Sequence, residues 1–207
     1  MSEGKKLYLY PTWLRIWHGI NALGIIILII TGISMQYSNA NFILINFEAA
    51  VNMHNISGVI VSVSYLLFFF GNLFSNNKKY YRIKPKGLRK RLLKQAKYYM
   101  FGMFNNKTSP YPLSEKRKFN PLQKYSYVGV MYFFVPIIII TGIALLFPEL
   151  IIENVYNLSG IMLTAVLHGV VGFFIFIFLL IHLYVASIGK SPLENFKGIL
   201  TGWHSEI

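Results

Sequence analysis

The stretch LHGVVGFFIFIFLLIHLYVA, residues 167–186, has no charged side chain but contains two histidines, His168 and His182, fourteen residues apart. A helix turns about 100° and rises about 1.5 Å per residue, so fourteen steps return to nearly the same face roughly 21 Å further along. Both imidazoles are therefore expected on one side of a helix, near opposite edges of an apolar bilayer core about 30 Å thick. This separation excludes one shared metal ion, and ionisable side chains at such depths are usually functional.

The composition of the 207-residue chain predicts a membrane protein. Hydrophobic residues make up 55% of it and the mean hydropathy is +0.49, too apolar for an ordinary soluble domain. Four segments, here named spans 1 to 4, are long enough to cross a membrane: residues 14–36, 51–74, 125–147 and 161–187. Span 1 is longer than a signal-peptide core and no small-residue cleavage site follows it, so we expect it to be retained. The predicted fold is an all-α four-helix bundle that forms one domain, residues 1–207.

The net charge of +13 is distributed unevenly between the loops. Residues 75–124 contain fifteen lysines and arginines against one acid, Glu115. The two other loops have no basic residue, and their acids are Glu48, Glu149 and Glu153. Because basic loops stay in the cytoplasm, we expect both termini and residues 75–124 there. Membrane-adjacent charge of this kind usually meets anionic lipid, so lipid is an expected partner and nucleic acid is not.

The basic loop also has a helical pattern. Residues 87–104 place apolar side chains at helical intervals with lysines and arginines between them, which predicts an amphipathic helix lying on the inner leaflet. A solvated basic linker is the alternative, because no capping residue marks the helix ends. Pro110 and Pro112 are expected to end any helix before span 3, and Pro136 to kink span 3 itself.

The chain has no cysteine, so any redox centre in it must be held by histidine or methionine. Four histidines lie in the spans. The direction of each span puts His18 and His182 near the cytoplasmic edge, and His54 and His168 near the outer edge. Each level pair joins two helices, as a haem with two axial imidazoles requires. We therefore predict two b haems, an inner one on His18 and His182 and an outer one on His54 and His168; for any single histidine, an interfacial side chain is the alternative.

Small residues follow the histidines at helical spacing. One turn after each histidine stands a glycine or alanine: Ala22, Gly58, Gly172 and Ala186. A porphyrin lying flat against the ligating helix leaves no room for bulk there, although such residues are also common in membrane helices. Spans 1 and 3 share a Thr-Gly pair, at Thr31 and Thr141, which we interpret as a site of close helix packing.

Two further polar side chains have simpler interpretations. Arg15 precedes His18 by three residues and shares its face, where it could neutralise a haem propionate. Snorkelling to the lipid headgroups explains Arg15 equally well. His204 lies in the polar C-terminal tail and is expected to be solvated.

The order of the histidines and several short motifs resemble a known family. RIWHGINA around His18, KFNPLQK at residues 118–124 and IHLYVA around His182 are similar to the di-haem cytochrome b subunits of nickel–iron hydrogenases, formate dehydrogenase-N and thiosulfate reductases. The thiosulfate reductase type is the most similar, because of YPTWLRIWH, QAKYYMFGMF and LTGWH. The resemblance covers nearly the whole chain.

This resemblance implies an electron-transferring membrane anchor that is not catalytic alone, in the cytoplasmic membrane of a bacterium or archaeon. It implies transfer between an exchangeable quinone, such as menaquinone, and an extracytoplasmic iron–sulfur, molybdenum, hydrogenase or multihaem cytochrome subunit. In the family the quinone lies near the cytoplasmic haem, which places Asn120 and Gln123 beside it. A helix cap is the alternative for both residues, since Asn-Pro is a turn signal and Asn a common N-cap.

A histidine-based proton or metal-ion transporter is the competing function. Transporters commonly place acids at mid-membrane. This chain has no aspartate, and all of its glutamates lie outside the predicted spans. The sequence therefore favours the cytochrome.

Overall fold

The computed structural model describes residues 6–39, 42–105, 107–112, 114, 117–188 and 191–205. Glu115, the one acid of the basic loop, lies outside the described residues. The four predicted spans are confirmed as helices long and apolar enough to cross a membrane: Thr12–Tyr37, Phe47–Phe74, Pro121–Leu146 and Gly160–Ala186. Large apolar side chains on them are widely exposed, such as Leu67 at 69% and Ile140 at 66%, as a lipid-facing surface requires.

Spans 1 and 2 are the helices α1 (Thr12–Tyr37) and α2 (Phe47–Phe74). Helix α2 begins four residues before the predicted start because Asn46 caps it: Asn46 Oδ1 accepts hydrogen bonds from the backbone N–H groups of Glu48 and Ala49. Glu48 therefore lies in the first turn of α2, where an acid interacts favourably with the helix dipole.

The basic loop contains several helical segments. It contains α3 (Lys78–Tyr81) and α4 (Leu88–Lys97), and α4 continues as a π-helical turn, Tyr98–Gly102, and a 3-10 turn, Met103–Asn105. The helix predicted at residues 87–104 is thus confirmed against the solvated linker, and its position on the inner leaflet stays a prediction. Gly87, with φ +70°, precedes α4 in the left-handed conformation that favours glycine.

Span 3 has three parts: α5 (Pro121–Gly129), a π-helical turn (Val130–Phe134) and α6 (Val135–Leu146). Pro136 has no N–H to donate one turn back, and the π-helical turn ends two residues before it. The kink expected at Pro136 stays a prediction. Span 4 is the uninterrupted helix α7 (Gly160–Ala186).

Short strands complete the fold. Strand β1 (Lys6–Tyr8) pairs antiparallel with β4 (Trp203–Ser205), which follows helix α8 (Glu194–Thr201). Strands β2 (Asn154–Val155) and β3 (Leu158–Ser159) form a hairpin before α7. The expectation for His204 is wrong: it pairs with Leu7 in the terminal sheet and is only 5% exposed.

The contacts divide the chain into two compact units. The apolar unit comprises Ile16–Phe70 and Tyr132–Ile181, and the basic unit comprises Met1–Arg15, Gly71–Met131 and His182–Ile207. All twenty lysines and arginines belong to the basic unit. Each long helix contributes residues to both units. The single domain expected for residues 1–207 stays a prediction.

Candidate functional site

His54 on α2 and His168 on α7 lie together in the apolar unit. Their ring centroids are 6.2 Å apart and the ring planes differ by 63°. Metal–imidazole bonds are about 2 Å long, so two rings on opposite sides of one ion have centroids about 6 Å apart. Both side chains are half-buried. The structure therefore brings together the pair predicted for the outer haem, with a separation that suits two axial ligands of one iron.

Among the described residues, this pair is not part of a larger cluster of metal ligands. Within the described residues, no three or more His, Cys, Asp or Glu side chains could hold a metal ion together. A site that supplies two protein ligands needs its remaining ligands from elsewhere, and the four porphyrin nitrogens of haem provide them. Two facing imidazoles therefore fit a haem.

A threonine hydroxyl lies beside the Nδ1 atom of each imidazole. Thr31 Oγ1 on α1 is 2.9 Å from His54 Nδ1, and Thr141 Oγ1 on α6 is 2.9 Å from His168 Nδ1. Both threonines belong to the same sequence, ITGI, so two helix pairs repeat one contact. The sequence interpretation missed this role, although the repeated motif was the signal that could have revealed it.

The glycines of the two ITGI motifs face the same imidazoles. A Cβ atom added to Gly32 would lie 3.6 Å from His54 Cε1, and one added to Gly142 would lie 3.1 Å from His168 Cε1. The close packing expected at the Thr-Gly pairs is therefore present, but what packs there is a histidine ring.

The glycines that follow the two histidines border open space. A Cβ atom on Gly58 would meet only Leu28, at 3.9 Å, and one on Gly172 only Ile138, at 3.6 Å, among the described residues. A Cβ atom on Gly169 would have no described neighbour within 4 Å. The protein leaves room beside both histidines, as a flat macrocycle held between them needs.

The two histidines predicted for the inner haem belong to different units. His18, half-buried on α1, is in the apolar unit, next to Gly19, whose added Cβ would meet nothing described within 4 Å. His182 is in the basic unit, where its Nδ1 lies 3.2 Å from the Tyr127 hydroxyl. Their pairing on one haem stays a prediction.

Arg15 contacts the C-terminal helix. Its guanidinium donates a hydrogen bond to the backbone carbonyl of Leu200, near the end of α8. A cation at this position satisfies a terminal carbonyl and interacts favourably with the helix dipole. A role of Arg15 in holding a propionate stays a prediction.

Asn120 and Gln123 form a capping box at the start of α5. Gln123 N–H donates to Asn120 Oδ1 at 3.0 Å, and Asn120 N–H donates to Gln123 Oε1 at 3.1 Å. The Asn120 amide also donates to the Tyr99 hydroxyl at 2.7 Å, and Asn120 is 7% exposed. The capping interpretation of both residues is confirmed, and the contact of either with quinone stays a prediction.

A buried lysine lies two residues before this cap. Lys118 Nζ donates to Asn77 Oδ1 at 3.2 Å and lies 4.6 Å from the ring centroid of Tyr80 and 5.5 Å from that of Tyr10. Burial, with a smaller effect of Lys79, lowers the pKa of Lys118 to about 8. The sequence interpretation counted Lys118 only as one positive charge among fifteen, and no local pattern marks it as buried.

Two comparisons bear on the whole chain. Residues 9–202 match the family model described as prokaryotic cytochrome b561. The chain is also 31% identical over 203 residues to the Escherichia coli (strain K12) protein named "Putative cytochrome YdhU". That alignment covers 98% of this chain and 76% of the relative. The family match includes all four histidines of the spans.

Proposed function

Because the chain belongs to the prokaryotic cytochrome b561 family and is thus a haem b electron-transfer protein of the membrane, we propose that it carries two b haems and links a quinone to an extracytoplasmic redox partner. When bound, each haem accepts and donates one electron. The protein would supply the histidine ligands, hydrogen bonds to those ligands and a low-dielectric surrounding, which together would set the potential of each haem.

The observation that carries this proposal is the pair formed by His54 and His168. Their rings have the separation of two axial ligands, and each Nδ1 has an oxygen atom 2.9 Å away. A metal-bound histidine commonly makes such a hydrogen bond through the ring nitrogen that does not bind the metal. These two residues would hold the outer haem.

The inner haem is assigned to His18 and His182. Two observations support it: His182 lies fourteen residues after His168 on the uninterrupted helix α7, and its Nδ1 also has a hydroxyl neighbour, Tyr127. Arg15, three residues before His18, is the cation that would meet a propionate. The two haems would together provide a path for electrons across the apolar layer.

The quinone, such as menaquinone, is placed at the inner haem and the partner subunit at the outer one. Support for the quinone position is the polar group formed by Tyr99, Asn120 and Gln123 at the start of α5. Hydroxyl and amide groups of this kind can bond a quinone oxygen at an otherwise apolar site. The partner would be an iron–sulfur, molybdenum, hydrogenase or multihaem cytochrome subunit.

Orientation follows from the location of the basic residues, and a reporter fusion tests it. The proposal expects a reporter after Lys97 to lie in the cytoplasm and one near Asn157 to lie outside, in the cytoplasmic membrane of a bacterium or archaeon. The opposite result would exchange the inner and outer haems.

The haem content of the purified full-length protein tests the proposal most directly. We expect two non-covalent b haems per chain, with low-spin spectra in the reduced state. A content of one haem per chain would mean that one of the two proposed sites does not bind haem. A protein that folds and inserts into the membrane without haem would contradict the proposal and favour the histidine-based proton or metal-ion transporter.

A further inference from the structure

We propose that Thr31 and Thr141 are matched positioning residues, which hold His54 and His168 with the proton on Nδ1 and so present both Nε2 atoms to the outer haem iron. The inference rests on the proposed function, because it requires a haem between these two histidines. It assigns the repeated ITGI motif of α1 and α6 to the tuning of that haem.

The direction of each threonine–histidine hydrogen bond follows from the single hydrogen of a hydroxyl group. Thr31 Oγ1 donates to the Ile27 carbonyl at 2.7 Å, and Thr141 Oγ1 donates to the Ile137 carbonyl at 2.8 Å. Each hydroxyl hydrogen is therefore committed to the carbonyl four residues earlier. The oxygen can then only accept from the imidazole, so Nδ1 carries the proton.

A second backbone carbonyl lies close to each hydroxyl. Thr31 Oγ1 is 3.2 Å from the Leu28 carbonyl oxygen, and Thr141 Oγ1 is 3.2 Å from that of Ile138. A carbonyl has no hydrogen to give, so these contacts also hold the hydroxyl hydrogen on its own helix. Leu28 and Ile138 each lie three residues before the threonine of their helix, which makes the two arrangements equivalent.

A proton on Nδ1 has a defined consequence for Nε2. In a neutral imidazole only one nitrogen is protonated, so Nε2 keeps the lone pair that binds iron. Donation of the Nδ1 hydrogen to an oxygen increases the electron density on the ring and strengthens it as a ligand. A stronger ligand favours ferric over ferrous iron, so the two threonines are expected to lower the reduction potential of the outer haem.

Replacing threonine by valine keeps the shape and removes the oxygen, which makes Thr31→Val with Thr141→Val the informative double variant. At a fixed ambient potential, we expect the ratio of reduced to oxidised outer haem to rise about tenfold, which for one electron is about 59 mV. Redox titration of the haem absorption bands should show this upward shift in one of the two midpoint potentials, with the other unchanged.

Two sets of variants serve as controls. Thr201→Val in α8 makes the same chemical change at a threonine outside the spans that donates to the Lys197 carbonyl, and it should leave both potentials unchanged. Thr31→Ser with Thr141→Ser retains both hydroxyl groups, and the wild-type potential should return. If the threonines act only in packing, the serine variant should instead show the same shifted potential as the valine variant.

Each outcome has a definite meaning. If the double valine variant retains two haems at wild-type potentials, the inference is wrong and the proposed function stands. If the valine variant loses the outer haem, the serine variant decides: wild-type haem content and potential support the inference, and a second loss overturns it. Wild-type protein without an outer haem contradicts the proposed function itself.

Discussion

The apolar unit and the basic unit both contain predicted haem ligands, but they surround them with different chemistry. In the apolar unit, His54 and His168 each face a threonine hydroxyl that is tied to its own helix backbone. In the basic unit, His182 faces the phenol of Tyr127, whose ring lies edge-on to Phe119 at 4.9 Å. The first environment fixes the direction of a hydrogen bond, whereas a phenol can either donate or accept.

The difference extends to charge. The apolar unit has no lysine or arginine, while the basic unit has all twenty together with the buried cluster around Lys118 and the Tyr99–Asn120 hydrogen bond. Burial raises the pKa of Tyr99, so its phenol stays protonated and can donate. Cationic groups and the hydrogen-bonded phenol of Tyr99 are therefore features of the basic unit. Hydrogen bonds of this kind suit a quinone oxygen, which agrees with the position proposed for the quinone.

The largest effect is expected when one histidine ligand is removed from each environment. We expect His54→Ala to lose mainly the outer haem and His182→Ala mainly the inner one, because an iron with one axial imidazole binds less tightly. Haem content and reduced-minus-oxidised spectra of the purified variants would show this. Loss of the same haem from both variants would contradict the pairing.

The next largest effect is expected at Asn120. Asn120→Ala removes the N-cap of α5 and the hydrogen bond to Tyr99, which should destabilise the protein by about 1 kcal/mol. We also expect it to slow haem reduction by quinol analogues several-fold while both haems stay bound. Stopped-flow kinetics and thermal unfolding measure the two effects separately.

Asn120→Asp is the matched control for that prediction. An aspartate can still cap α5 through a carboxylate oxygen, but it cannot donate an amide hydrogen to Tyr99 or to a quinone. If Asn120→Asp has the wild-type rate while Asn120→Ala is slow, only the cap matters. Slow reaction in both variants supports the proposed contact with quinone.

A smaller effect should separate the two ITGI motifs. An added Cβ atom on Gly142 would lie 3.1 Å from His168 Cε1, whereas the same atom on Gly32 would lie at an ordinary contact distance of 3.6 Å from His54 Cε1. Gly142→Ala should therefore displace its imidazole by a few tenths of an ångström and shift the potential of the outer haem, while Gly32→Ala should leave it nearly unchanged. Equal shifts in redox titrations of the two variants would show that ring position is not what the glycines control.

The sequence predicted the spans well because about twenty apolar residues in succession are a local signal. Helix ends were predicted less well: Asn46 starts α2 earlier than the apolar run does, and the Asn120 cap starts α5 four residues before the predicted span. A cap depends on one polar side chain, which hydropathy over a long window does not detect.

The hydrogen bonds of the candidate site could be predicted only in part. Matched depth predicted the pairing of His54 with His168, because depth follows from topology. The partners Thr31 and Thr141 depend on how adjacent helices are rotated against each other, which no single segment encodes. His204 was misplaced for a similar reason, since its burial depends on pairing between strands at opposite ends of the chain.

The smallest expected effect is the pH dependence that Lys118 adds to the stability of the basic unit. Lys118 has a pKa of about 8 when folded, against 10.5 for an ordinary lysine. Between these values the unfolded chain binds more protons than the folded protein, so this lysine makes the free energy of unfolding rise with pH. Below pH 8 both states are protonated and the burial of the charge opposes folding fully.

Lys118→Met removes this contribution, so wild-type protein should gain thermal stability relative to the variant as pH increases from 8 to 10. Lys90→Met, at an exposed position on α4, is the control that should follow wild type. Parallel curves for wild type and Lys118→Met in a pH series of unfolding midpoints would mean that Lys118 keeps its proton in the folded protein, held by Asn77 and the two tyrosine rings.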